Sequence, residues 1–60
     1  MTGKQIVALR KALGLSQEQL AEKLGTYRET VARWEADRTK PHRLYLQELK
    51  KLKATVKKRK

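Results

Sequence analysis

Within its first 25 residues the chain twice spells out where a helix begins and where it ends. Thr2 with Gln5, and Ser16 with Gln19, place a hydroxyl three residues ahead of an amide, so each side chain of a pair can satisfy the other's free backbone donor. Gly14 then follows the last apolar residue of the first segment, where a glycine can take the left-handed backbone that closes a helix, and Gly25 breaks the second. A chain punctuated this closely is restricted to stacking short helices. No β-type alternation and no long repeat competes with that reading, which is all-α with four helices and tight connections.

The apolar residues supply the inner face of each helix. Ile6, Leu9 and Leu13 recur at helical spacing, with Ala8 and Ala12 beside them, while Lys4 and Lys11 stay solvated. Leu20, Ala21 and Leu24 mark one side of the second helix, and Leu15 just before its cap is placed as a hydrophobic staple toward Leu20. Tyr45, Leu49, Leu52 and Val56, widened by Leu46, form the stripe of a last helix beginning near His42 or Arg43. Asp37 to Pro41 reads as the loop before it, because proline cannot continue a helix from the preceding turn. Sixty residues without a cysteine leave apolar packing to carry the fold, and a lone His42 cannot cage a metal, so neither a metal nor another cofactor is expected.

The third helix separates into two faces. At 100° per residue, Tyr27, Thr30, Val31 and Trp34 fall together, and Arg28, Glu29, Ala32, Arg33 and Ala36 fall opposite. Burying Val31 and Trp34, with part of Tyr27, leaves a face of two arginines, a glutamate and two alanines with no apolar duty. Trp34 is read as a core aromatic rather than a surface contact.

Sixteen Lys and Arg against six Asp and Glu give a formal charge of +10, which points to a polyanionic partner. An anionic membrane surface or an RNA would relieve the same repulsion as DNA. Eight of the basic residues lie between Arg43 and Lys60, and the closing Lys57 to Lys60 has nothing apolar to bury, so it is expected to fray as a disordered tail behind a domain of residues 1–56. No apolar run approaches the roughly 20 residues that span a bilayer, and no signal peptide is evident, which predicts a cytoplasmic protein. Nothing resembles a nucleophile, base and orienter set, so an enzyme is not expected.

Arg10, Leu15-Ser16-Gln17, Gln19-Leu20-Ala21, Gly25, Val31, Trp34-Glu35 and Lys40-Pro41, in this order, resemble the helix-turn-helix of phage-type Cro and repressor proteins, the Xre family. The likeness covers Gln5 to Pro41. It implies a small lambda-repressor-like bundle and sequence-specific binding of double-stranded DNA by a transcriptional regulator, a repressor in the first instance. It makes Arg28, Glu29, Ala32 and Arg33 the base readers, and Gln17, Tyr27, Arg38, Lys40 and Arg43 the phosphate contacts. His42 falls in the loop near phosphate. Arg10 and Glu35 correspond to a structural pair across the first and third helices. The core implied by stripes and resemblance together is Ile6, Leu9, Leu13, Leu15, Leu20, Ala21, Leu24, Val31, Trp34, Leu49 and Leu52.

The departures carry information too. Tyr27 stands where the family places a capping Ser or Thr, and Thr26 with Glu29 offers a capping box one residue earlier, which would withdraw Glu29 from base reading. Asp37 replaces the usual Gly or Asn at the end of the third helix. The family's usual fifth helix is absent, so pairing as a homodimer on DNA does not carry over directly. Two other readings stay open: an antitoxin that also holds a toxin partner, and a basic helical RNA or membrane-surface binder acting through its C-terminal helix.

Overall fold

The computed structural model describes residues 1–58, with side chains through Val56; the expectation for the tail at 57–60 falls on side chains and residues outside those described. Four helices follow one another, α1 (Gly3–Ala12), α2 (Gln17–Leu24), α3 (Arg28–Glu35) and α4 (Arg43–Lys58), and no strand occurs among the described residues.

Both capping boxes form. Thr2 Oγ1 accepts from the Gln5 amide at 3.2 Å while Thr2 N–H donates to Gln5 Oε1 at 2.8 Å. Ser16 and Gln19 repeat the exchange at 3.1 and 2.8 Å. These bonds satisfy donors that a helix start otherwise leaves free.

The first three helices end in one way. Each has a left-handed residue just past its last turn, Gly14 at φ 69°, Gly25 at φ 73° and Asp37 at φ 60°. The amides at and after that residue then turn back onto the helix: Gly14 N–H to Lys11 C=O and Leu15 N–H to Arg10 C=O, Gly25 to Glu22 and Thr26 to Ala21, Asp37 to Trp34 and Arg38 to Arg33. This paired closure defines the Schellman motif, and it gives three tight turns that fold the chain back at once.

Every helix contributes to the centre. Ile6 of α1, Leu20 of α2, Val31 of α3 and Leu49 of α4 are fully buried, and Leu9, Ala21 and Trp34 nearly so. Burying each large aliphatic side chain contributes about 1.5 to 3 kcal/mol, which a domain this small needs. Leu13, Leu15, Leu24 and Leu52, expected in the core, are instead half-buried against its outside, as are Tyr45 and Val56. Leu13 and Leu15 lie in the turn between α1 and α2, Leu24 ends α2, and Tyr45, Leu52 and Val56 run along α4, because the interior of so small a domain is filled before every apolar residue is enclosed. Ala8 and Ala12 are exposed outright.

The α2 and α3 helices pack most extensively on each other, while α1 bridges to both α3 and α4. The Trp34 and Tyr45 rings, 5.3 Å apart and tilted by 50°, join α3 to the start of α4.

Candidate nucleic-acid interface

The apolar half of α3 faces inward, with Val31 at 0% and Trp34 at 3% exposure. Arg28, Glu29, Arg33 and Ala36 are consequently exposed, and Ala32 is half-buried between them. Among the described residues, neither arginine has a carboxylate within salt-bridge distance; the ion pairs there are Arg10 with Glu35 and Lys51 with Glu48. Shallow open concavities run along this face. One is lined by Tyr27, Arg28, Glu29, Thr30 and Arg33, the next by Glu29, Ala32, Arg33, Ala36 and Arg38.

The start of α3 differs from expectation in two ways. Tyr27 is the N-cap, in extended conformation and with no side-chain capping bond, so the Thr26–Glu29 box does not form. The reason lies in the preceding helix. Glu29 would need the Thr26 N–H as its donor, and that group already closes α2 through the Ala21 carbonyl at 2.9 Å. The Glu29 carboxylate is thereby left without a backbone duty. Second, Tyr27 is 79% exposed rather than partly packed, because its extended backbone holds the ring outside the bundle.

Arg10 and Glu35 meet between α1 and α3. Arg10 Nε donates to Glu35 Oε2 at 2.7 Å and its Nη2 to Oε1 at 3.3 Å, with side-chain exposures of 16% and 8%. Arg10 Nη1 also donates to the Leu15 carbonyl at 3.0 Å, tying in the turn before α2. Gln17 joins the group, its Nε2 donating to Glu35 Oε1 at 2.9 Å. Sequence reasoning assigned the Gln17 amide to phosphate alone, but one of its two N–H groups is spent inside the molecule. Arg38 and Lys40, beyond α3, and Arg43, at the start of α4, are all exposed. Leu44 N–H approaches His42 Nδ1 at 3.5 Å, so His42 sits at the entrance of α4.

One relationship had no reading in the sequence. Asp37 Oδ1 accepts from the Gly3 amide at 2.8 Å, across 34 residues. Gly3 is buried where the start of α1 meets the end of α3: a Cβ there would stand 2.8 Å from the Trp34 carbonyl oxygen and press on that of Glu35. The only available signal was Asp37 itself, standing where a residue with less steric cost is usual.

A helix closed by a Schellman turn, a short connection and a second helix that buries one face and exposes two arginines on the other make up a helix-turn-helix domain. The family model described as Helix-turn-helix matches residues 6–52, most of the chain, and the protein belongs to that family in its Cro/C1 (Xre) type, a DNA-binding regulatory domain. No curated protein and no solved structure matches the chain significantly. Among the described residues, no helix is long and apolar enough to cross a membrane.

Proposed function

We propose that the protein binds specific double-stranded DNA sequences and represses transcription by occupying them. The reading is carried by the exposed Arg28 and Arg33 on the side of α3 opposite the buried Val31 and Trp34. An arginine can donate two parallel bonds to O6 and N7 of guanine, and a glutamate can accept from N4 of cytosine. With α3 in the major groove, Arg28 and Arg33 read guanines, Glu29 reads a cytosine, and Ala32 lies against a thymine methyl.

Phosphate contacts hold this register. The second amide hydrogen of Gln17 points to the backbone on one side of the groove, while Arg38, Lys40 and Arg43 hold it on the other. Tyr27, exposed at the head of α3, reaches a phosphate through its hydroxyl. Two copies pair on a two-fold symmetric site.

Selection of bound sequences from a random DNA pool tests the proposal. The expected result is a guanine-containing consensus repeated as two half-sites about 34 Å apart, one helical turn. A pool that stays random overturns base reading by α3, and a single asymmetric site overturns the pairing.

A further inference from the structure

The three Schellman turns differ in one respect: two place a glycine in the left-handed position and the third places Asp37. An L residue there meets a clash between Cβ and the following carbonyl that glycine avoids. Asp37 holds this conformation while its carboxylate accepts the Gly3 amide at 2.8 Å. Gly3 is itself fitted to the spot, since any Cβ would collide with the last carbonyls of α3. Each residue carries a local cost, a Cβ in the left-handed position at 37 and a glycine in the first turn of a helix at 3, and the two meet at one contact.

We infer that Asp37 and Gly3 form a clamp that sets the tilt of the recognition helix, making both of them positioning residues for sequence discrimination. The inference rests on the reading of α3 as the base-reading element. The clamp grips α3 at its C-terminal end, together with Glu35 held by Arg10 and Gln17. Arg28 lies at the opposite end, one full helix length away. An eight-residue helix is about 12 Å long, so a 10° change of tilt about the clamped end moves Arg28 by about 2 Å. Bidentate contact to a base tolerates only about 0.5 Å. Phosphate contacts made by long lysine and arginine side chains follow such a displacement, so the loss falls on discrimination rather than on overall attraction.

The decisive variant is Asp37→Gly, which relaxes the backbone at 37 while deleting the acceptor, and so keeps the protein folded. Residual dipolar couplings on the free protein should show α3 turned relative to α1, and exchange of the Gly3 amide should quicken about tenfold or more. The preference for the selected DNA over random DNA should fall about tenfold, with affinity for random DNA within about twofold of the parent. Asp37→Asn, which keeps an acceptor oxygen and tolerates the left-handed backbone, should restore both readouts. Gly3→Ala should reproduce the tilt from the other side of the contact. An unchanged tilt in Asp37→Gly overturns the clamp, and a changed tilt with undiminished preference overturns its role in discrimination. A parent protein with no sequence preference refutes base reading by α3, and the discrimination role with it, while the couplings still decide whether the clamp sets the tilt.

Discussion

Glu35 Oε1 accepts a hydrogen bond from Gln17 Nε2 at 2.9 Å, so the carboxylate at the end of α3 is shared by a residue at the start of α2 and by Arg10 of α1. Three helices therefore depend on one side chain. Removing it strands the Arg10 guanidinium in a largely desolvated place. Because Arg10 keeps 16% exposure, the cost of Glu35→Ala is set somewhat below that of a fully buried pair, at about 2 to 4 kcal/mol. Urea unfolding measures it. The double variant Arg10→Met with Glu35→Leu should recover most of the loss, since it removes both charges together; a loss below about 0.5 kcal/mol for Glu35→Ala would place the pair among ordinary surface bridges.

Base reading and phosphate holding separate by sequence dependence. Arg28→Ala and Arg33→Ala should each cost about 1 to 3 kcal/mol on the selected site and far less on random DNA. Lys40→Ala should weaken every sequence alike and lower the salt dependence of binding by about one phosphate contact. Titrations at several salt concentrations distinguish these outcomes, and equal losses on all sequences from the arginine variants would remove them from the base-reading set.

Tyr27 allows its proposed phosphate contact to be weighed against stability in one variant. It caps α3 without a side-chain bond and is 79% exposed, so replacing it discards little packing. Tyr27→Ser should stabilise the fold by about 0.5 to 1 kcal/mol by supplying the missing cap. Binding to all DNA should weaken by a few-fold if the hydroxyl meets a phosphate. Thermal melting and DNA titration of one variant check both halves.

Two leucines on α4 provide an internal contrast. Leu49 is fully buried and Leu44 is 65% exposed. Leu49→Ala should cost about 2 to 5 kcal/mol, enough to unfold much of a domain this size at ambient temperature. Leu44→Ala should stay within about 0.5 kcal/mol. Chemical denaturation read by circular dichroism gives both values.

Much of the fold was legible because its determinants are local. Thr2 and Gln5, or Ser16 and Gln19, are three residues apart, and the bond each pair makes lies within one helical turn. The inward turn of Val31 and Trp34, and with it the outward turn of Arg28 and Arg33, follows from helical period alone. The Thr26–Glu29 box failed as an expectation because two local motifs compete for a single donor, and the closure of α2 takes it. Tyr27 was misplaced because helical phase does not apply to a capping residue with extended backbone.

The order of the sixty residues determines that there are four helices, where the first two begin and end, and the side each turns inward, since capping pairs, glycine closures and apolar period all act within a few positions of chain. Which groups then meet is a matter of packing. Gln17 on Glu35 and Asp37 on the Gly3 amide join residues 18 and 34 apart, and no local pattern encodes the approach of one helix end to another. Only the assembled bundle decides those contacts, because the free energy that brings them together comes from burying Ile6, Leu20, Val31 and Leu49 as a group.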